Sequence, residues 1–330
     1  ISKEKRFIGS IALTYKLPIK GLSYQFRTGG NVRTKDRRRF YGKTTFQGNN
    51  ANGALQLSGL DATTFQVNNL LRYNRTFNRK HRINATVGVT YDVRDIQNSV
   101  YAVEDFFTTA LTTEQPYIGS VITTPLTYLD SKQQVFSYLG RLNYSYANRY
   151  VITASFRRDG VSKFSRENRY SIFPSFAFAW NISNESFMKS VDFVDNLKLR
   201  TGWGQIGNHG IRPYGTISNY GISPDVQYGT PTNGISIPVL LNNIANPDLK
   251  WEETTTYNGG FDFELFNDKI SGSLEAFYKE SKDLLANAAI SDGSNFSNSG
   301  FQNIGNFTTK GIEFSIAGDI INNDNLNIDF

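Results

Sequence analysis

Residues 137–164 read SYLGRLNYSYANRYVITASFRRDGVSKF, and this stretch decides the fold. From 136 to 146 the even positions are aromatic, aliphatic or glycine, whereas the odd positions are mostly polar. After a connection of Ala147, Asn148 and Arg149, the same alternation returns from 150 to 156. Alternation with a period of two indicates a β-strand, because successive side chains of a strand point to opposite faces. Two such runs joined so closely predict a hairpin.

The next two segments repeat this pattern. Residues 169–183 read RYSIFPSFAFAWNIS and residues 196–208 read NLKLRTGWGQIGN. In the first, one parity carries Tyr170, Ile172, Phe176, Phe178 and Trp180; in the second, Leu197, Leu199 and Trp203 oppose Lys198 and Arg200. These segments predict four successive strands with one face suited to an apolar medium and the other suited to water.

The composition favours a membrane β-barrel over other classes. The chain has 330 residues with 18 Tyr and 25 Phe, but only 19% charged residues. Aromatic residues in this number exceed what a soluble core of this size needs. Mean hydropathy is −0.40, and no run of about 18 apolar residues predicts a membrane helix. A membrane barrel escapes that test, because half of each strand is polar.

Charge and cysteine content exclude other classes. The formal charge is +6, but Lys and Arg are spread over all segments without a nucleic-acid-binding motif, so we expect no nucleic-acid partner. The chain has no cysteine, which excludes disulfides and thiolate metal sites. His81 and His209 lie in predicted connections, where we assign them no role. We therefore expect no enzyme, no catalytic or metal residues and no cofactor.

The connections alternate in length. Short ones are predicted near 18, 79, 148 and 267 and a medium one near 188, whereas long loops are predicted at 31–61, 93–133, 208–248 and 283–302. Outer-membrane barrels show this asymmetry, with short periplasmic turns and long extracellular loops. We also expect a short helix at 101–112 and a helical turn at 183–189. Tyr146, Tyr150 and Trp180 lie beside the shorter connections, where an aromatic girdle belongs.

The parity of each strand predicts which side chains meet lipid. The predicted lipid-facing residues are Leu142, Tyr144, Ile152, Phe156, Phe178, Phe261, Leu274 and Phe314. The predicted lumen-facing residues are Arg141, Arg157, Arg200, Glu264, Glu275 and Glu313. Arginine in the middle of the lipid face of a barrel costs about 2 to 4 kcal/mol, which favours this assignment.

The three stretches quoted above resemble the mid-barrel region of SusC/RagA-type TonB-dependent outer-membrane transporters. The segments 246–285 and 303–320 resemble later hairpins of that family, in order and spacing. The resemblance implies an all-β, antiparallel transmembrane β-barrel of about 22 strands in the Gram-negative cell outer membrane. Residues 1–330 would then form one partial barrel domain of about a dozen strands, with the plug domain and the other strands outside this chain.

The resemblance also implies a function. Barrels of this type import large nutrients such as oligosaccharides or peptides, with a SusD-like surface lipoprotein as partner and TonB acting through the plug. Two alternatives stay open. In the first, the barrel is a scaffold subunit of an outer-membrane assembly and moves no substrate; in the second, it is a passive porin.

The last residues suggest that the sequence continues. Leu326 to Phe330 begin a new alternation, but it stops short of the roughly 9 to 11 residues of a membrane strand. We therefore expect an internal piece of a longer polypeptide.

Overall fold

The computed structural model describes residues 1–108, 110, 115–222, 239–290, 299–323 and 326–329. The fold is all-β and antiparallel, as expected. The strands are β1 Ser2–Lys16, β2 Leu22–Tyr41, β3 Ala54–Phe77, β4 His81–Phe106, β5 Gly119–Tyr146, β6 Tyr150–Val161, β7 Tyr170–Asn181, β8 Val194–Asn208, β9 Asn219–Ile222, β10 Val239–Asn243, β11 Glu252–Leu265, β12 Ile270–Lys282, β13 Leu285–Ala289, β14 Ser299–Asn303, β15 Phe307–Asn323 and β16 Leu326–Asp329. The helical segments are α1 Phe46–Asn50 and the 3₁₀ helices Pro116–Ile118, Ile182–Asn184 and Ser186–Ser190.

One sheet holds twelve of these strands in the order β1-β2-β3-β4-β5-β6-β7-β8-β11-β12-β15-β16. Neighbours in the sheet are thus almost all neighbours in the chain. The remaining strands form two separate two-stranded sheets, β9 with β10 and β13 with β14. Both small sheets interrupt the meander where the sequence predicts long connections.

The short connections are tight turns with left-handed backbone. Asn78 and Arg79 have φ angles of 47° and 56°, and Ala147 and Asn148 have 50° and 59°. Two left-handed residues in succession match the twist of the flanking strands, which is why such turns suit hairpins. Gly21 closes the first hairpin at φ 87°, and a Cβ there would lie 2.4 Å from the carbonyl oxygen of Asn74. Only glycine fits that position.

The chain divides into two compact units. The first comprises Ile1–Leu13, Phe26–Asn68 and Tyr91–Val135. Its buried cluster contains Leu55, Val103 and Phe106, with Phe40, Leu57, Tyr101 and Ile118 packed against it. Beside it, the carboxylate of Asp105 accepts hydrogen bonds from Asn52, at 2.6 Å, and from Ser120. These contacts hold the ends of β4 and β5 to the connection before β3.

The second unit comprises Thr14–Gln25, Asn69–Thr90 and Phe136–Phe330. Trp251 is buried just before β11, with its ring centroid 5.6 Å from that of Phe164 and 5.3 Å from that of Phe173. Its indole nitrogen donates to the carbonyl of Arg169 at 3.1 Å. Trp251 therefore fastens the β6–β7 connection to the start of β11.

Two predicted loops are wrong in the first unit. Most of 31–61 is strand, because β2 continues to Tyr41 and β3 begins at Ala54. Within 93–133, β4 continues to Phe106 and β5 begins at Gly119, and the described part of 101–112 forms no α-helix. These strand ends are polar or irregular in pattern on both faces. Backbone pairing holds them without the alternation that sequence analysis relies on.

The other connections agree better with expectation. The turn at 183–189 is confirmed as 3₁₀ helix. The interval 208–248 contains the β9 and β10 hairpin, and 283–302 contains β13 and β14. Residues 223–238 and 291–298 lie outside the described residues. The strand expected to begin at Leu326 is present, since β16 pairs with β15.

Candidate functional site: two chemically different faces of the sheet

The register of the second unit places the apolar side chains of successive strands opposite one another. Phe261 on β11 pairs with Leu199 on β8 and Leu274 on β12, and Leu274 pairs with Phe314 on β15. In a parallel row, Ile152 on β6 pairs with Phe178 on β7. Residues directly opposite one another in a sheet share a face. These rows therefore form one continuous apolar face.

This apolar face is open rather than packed. Phe314 is 63% exposed, and Leu142, Phe156, Phe261 and Leu274 are each 44% or 45% exposed. A contiguous exposed apolar area of this kind marks contact with a membrane or another protein. These five predicted lipid-facing residues are therefore exposed on the sheet, and their contact with lipid stays a prediction.

The opposite face carries an ion-pair network centred on Arg200. Its Nε lies 2.9 Å from an oxygen of Asp262, and its Nη1 lies 2.7 Å from an oxygen of Glu275. Asn258 donates to the other oxygen of Glu275 at 3.0 Å. Lys198 stands at a looser 4.0 Å from Asp262. Arg200, Gly260, Glu275 and Glu313 form one register row across four strands.

The other predicted lumen-facing residues share this polar face in the strands whose pairing is described. Glu264 stands opposite Asn196 and Ser271. Arg157 donates through Nε to Asp159 at 2.7 Å and through Nη2 to Ser137 at 3.0 Å. Hydroxyl pairs accompany them, such as Ser155 with Ser175 and Ser273 with Ser315. Arg141 lies exposed on β5.

An aromatic row lies at the end of the sheet that has the tight turns. The ring of Tyr150 stacks with Tyr146 at 6.5 Å and with Trp180 at 6.3 Å between centroids. Glu185, in the β7–β8 connection, accepts from the Tyr150 hydroxyl at 2.7 Å and from the Trp180 indole at 3.2 Å. Arg149 lies 3.2 Å from the same carboxylate. The hydrogen bond from Tyr150 lowers the pKa of Glu185, with further lowering from Trp180 and the charge of Arg149.

Both histidines have structural contacts that their sequence positions do not reveal. His81 is the first residue of β4, and its Nδ1 lies 2.8 Å from the Tyr144 hydroxyl. His209 lies against Trp251 at 5.2 Å between ring centroids and near the buried Lys163. Burial lowers the pKa of His209, and the charge of Lys163 lowers it further.

Sequence reasoning missed several members of these clusters. Asp262 and Asn258 alternate with the apolar residues of β11, so their face is readable, but their bond partners are not. The sequence pattern did not indicate the contacts of Glu185, because this residue lies in a connection between two short 3₁₀ helices. Gly260 belongs to a Gly-Gly pair whose role depends on the neighbouring strands.

Metal sites and membrane-spanning helices are both absent from the part of the chain that the structure describes. Within it, no three residues of the types His, Cys, Asp and Glu group as metal ligands. None of the helices there is long and apolar enough to cross a membrane.

Comparisons with known proteins agree with this geometry. The family model for the TonB dependent receptor-like β-barrel matches residues 6–330. TonB-dependent receptor P3 of Formosa agariphila is 32% identical over 305 residues, covering 92% of this chain and 30% of its own length. TonB-dependent receptor SusC of Bacteroides thetaiotaomicron is 40% identical over 195 residues, covering 56% of this chain and 18% of its own length.

The fold has a solved counterpart. A structure described as the RagAB peptide transporter superposes with a TM-score of 0.86 at 21% identity, covering 99% of this chain and 35% of that chain. The chain therefore spans about a third or less of the length of each of these three proteins. The resemblance to SusC/RagA-type proteins is confirmed.

Proposed function

Because this chain belongs to the TonB-dependent receptor-like β-barrel family, we propose that it forms part of the wall of an outer-membrane transporter for large nutrients. Barrels of this family are outer-membrane proteins. The observation that carries the proposal is the separation of the two faces. One is apolar and exposed, as a lipid-facing wall requires, and the other is a network of ion pairs and hydroxyls, as a water-filled lumen requires.

The spacing of aromatic residues supports the lipid assignment. Trp180 and Tyr170 lie on the same face of β7, and the Arg158 guanidinium stands 4.7 Å from the Tyr170 ring centroid. At roughly 3.3 Å per residue, the strand between them is about 33 Å long. A tilt of about 40° reduces this to a height of about 25 Å, the height of the apolar band of a membrane barrel. Tyr146, Tyr150 and Trp180 then form one girdle, and Tyr170 with Arg158 marks the other interface.

The separation of the two faces supports a proposal for which residues line the lumen. Arg141, Arg157, Arg200, Glu264, Glu275 and Glu313 face the interior, where they meet water or the plug. Leu142, Tyr144, Ile152, Phe156, Phe178, Phe261, Leu274 and Phe314 face lipid. The ion pairs of Arg200 with Asp262 and Glu275 neutralise part of the charge on this face.

The partners follow from the family. A SusD-like surface lipoprotein covers the outer mouth, and TonB acts through a plug that this chain does not contain. The protein moves its substrate without chemical change, so it is no enzyme. The relative described as RagAB is a peptide transporter, and we include peptides beside oligosaccharides as the substrate class.

Uptake by the full-length protein tests this proposal. A strain lacking the gene is complemented, and uptake of labelled oligosaccharides and peptides is measured with and without an uncoupler. We expect uptake that depends on the gene and is abolished by the uncoupler. Uptake that survives the uncoupler indicates a passive porin. No uptake, together with loss of an outer-membrane assembly, indicates a scaffold.

A further inference from the structure

The connection between β7 and β8 is bound to the β5–β6 turn beside it. Asn181 and Asn184 both donate from their side-chain amides to the carbonyl oxygen of Asn148, at 2.6 Å and 3.0 Å. The backbone N–H of Asn181 also donates to the carbonyl of Arg149 at 2.7 Å. These bonds hold the first 3₁₀ helix of the connection against a neighbouring hairpin, at the end of the sheet that has the tight turns.

Glu185 shows on which side of the sheet the connection lies. This residue stands between the two 3₁₀ helices and is only 8% exposed. Its carboxylate accepts hydrogen bonds from Tyr150 and Trp180, which lie opposite each other in register. Both have the same parity as Ile152 and Phe178 on their strands, so they belong to the apolar face. The connection therefore reaches the apolar side of the wall.

The second 3₁₀ helix, Ser186–Ser190, follows directly and carries an exposed aromatic ring. Phe187 is 59% exposed, although it comes only two residues after the buried Glu185. A 3₁₀ helix has roughly three residues per turn, so Glu185 and Met188 share one side, and Phe187 and Ser190 share another. Met188 is half-buried, whereas Phe187 and Ser190 are both exposed. The helix thus packs on the side of Glu185 and leaves the ring of Phe187 at the surface.

The exposed charges around this helix nearly balance. Within the connection and the neighbouring β11–β12 turn, the exposed cations are Lys189 and Lys269, and the exposed anions are Asp192, Asp195 and Asp268. The guanidinium of Arg149 is already paired with Glu185. A strongly charged partner is therefore disfavoured. An exposed aromatic ring among balanced charges suits the surface of a phospholipid leaflet, where one end of a side chain is apolar and its surroundings are wet.

We infer that the β7–β8 connection is a membrane anchor, whose Phe187 ring inserts into the phospholipid leaflet on the side of the tight turns and holds there without net charge. This inference rests on the proposed function for the contact of the apolar face with lipid. It follows from continuity, because Glu185 joins the helix to the aromatic row, which then lies at the membrane interface. Interfacial segments bury their apolar side about 5 to 10 Å into the boundary between headgroups and acyl chains.

Photo-crosslinking in cells tests the anchor. The full-length protein carries the substitution Phe187→benzoylphenylalanine, which keeps an aromatic side chain and on illumination inserts into C–H bonds that it touches. We expect the peptide containing residue 187 to gain the mass of a phospholipid. A crosslink to a periplasmic protein instead of lipid overturns the inference, and so does the absence of a lipid adduct.

Two further positions separate the anchor from the proposed function. Phe178→benzoylphenylalanine, on the predicted lipid-facing side of β7, should also give a lipid adduct. Phe107→benzoylphenylalanine should give none, although Phe107 is 79% exposed after β4. An adduct at 178 but not at 187 overturns the anchor and leaves the proposed function intact. Lack of an adduct at both 178 and 187 contradicts both, and equal adducts at 107 and 187 would show that exposure alone produces them.

The contribution of the ring is measured with Ser190→Cys, on the side of the helix that Phe187 shares. In phosphatidylcholine nanodiscs, adding Phe187→Ser should speed the reaction of this cysteine with a water-soluble maleimide about ten-fold, because the inserted state loses a buried phenylalanine. Phe193→Ser is the matched control, since the Phe193 ring lies 6.0 Å from that of Phe266 in the adjacent turn, and it should leave the rate unchanged. Equal rates with and without Phe187→Ser overturn the role of the ring.

The lipid headgroup is varied in the same measurement. Nanodiscs that also contain phosphatidylglycerol should protect Ser190→Cys to the same extent as phosphatidylcholine alone. Protection that appears only with the anionic lipid would show that net charge holds the segment, which contradicts the anchor as inferred.

Discussion

Arg200 on β8 and Glu275 on β12 form a 2.7 Å ion pair that passes over the intervening strand β11. The residue of β11 between them in register is Gly260. A glycine there leaves the polar face clear for the arginine side chain. Three strands are thus joined by side chains as well as by the backbone ladder, on the face that we assign to the lumen.

Replacing Arg200 by methionine is expected to destabilise the barrel by about 1 to 2 kcal/mol, because Asp262 and Glu275 then lose their charged donor. The measurement is thermal unfolding of the full-length protein in detergent. Lys198→Met is the matched control, because the Lys198 ammonium lies as far as 4.0 Å from the Asp262 carboxylate and so makes a weaker ion pair. Equal effects of the two substitutions would show that Arg200 does not hold the strands together.

Gly260→Ala is expected to cost about 1 to 3 kcal/mol, because overpacking shifts the backbone. A Cβ at Gly260 would lie 2.5 Å from the carbonyl oxygen of Leu274, whereas at Gly259 the nearest atom is 3.8 Å away. Gly259→Ala is therefore the control and should be nearly neutral. The temperature at which the folded barrel is lost on semi-native gels is measured for both variants. Equal temperatures for Gly260→Ala and Gly259→Ala contradict this prediction.

The sidedness of the wall is tested by two identical substitutions on adjacent strands. Ala154 pairs with Phe176 on the apolar face, and Ala177 pairs with Thr153 on the polar face. Ala154→Arg should cost about 2 to 4 kcal/mol in the membrane, whereas Ala177→Arg should be tolerated. The fraction of folded protein in outer membranes measures the difference. The reverse ranking would show that the two faces are assigned the wrong way round.

Glu185 predicts a pH dependence at the aromatic row. Its pKa is lowered in the folded protein by the hydrogen bond from Tyr150. The stabilisation of the fold by the ionised Glu185 carboxylate is therefore complete above the ordinary pKa of glutamate. It is lost as the pH falls through the lowered value, where the folded carboxylate takes up its proton. The melting temperature should therefore fall on acidification below about pH 4.3, and Glu185→Gln should flatten this fall.

The control for Glu185 is Glu167→Gln, at an exposed position in the β6–β7 connection. In Glu167→Gln the melting temperature should fall on acidification as it does in the unaltered protein. If the melting temperature of Glu185→Gln falls on acidification by the same amount, the Glu185 carboxylate does not stabilise the aromatic row.

The lowered pKa of His209 predicts a second dependence of stability on pH, at the other end of β8. Burial lowers its pKa in the folded protein, so the unfolded segment binds a proton first as the pH falls below about 6.5. Stability of the cluster around Trp251 therefore decreases from about pH 6.5 down to the lowered pKa. Hydrogen exchange of residues 209–217 should accelerate between pH 7 and 5 after correction for intrinsic rates. The dependence should vanish in His209→Gln, and its persistence would assign the effect to another group.

The sequence alone determined the strand type, the two faces and the tight turns, because membrane-spanning strands must alternate apolar and polar side chains. The alternation from Tyr150 to Phe156 and from Tyr170 to Trp180 identified both strands and their faces. It also anticipated the family through the segments at 137–208, which the comparisons confirm.

Only the tertiary structure decided where β2 to β5 end and which charges meet. Strand ends such as Arg38 to Tyr41 and Gly119 to Leu129 carry no alternation of the membrane kind, so their pairing depends on backbone hydrogen bonds with a neighbour that the local sequence does not specify. The Arg200 and Glu275 pair joins residues 75 positions apart in the chain. Its formation depends on the register of three strands and on the absence of a side chain at Gly260. Each strand sequence fixes its own faces, but contacts across strands depend on register, which only the assembled sheet defines.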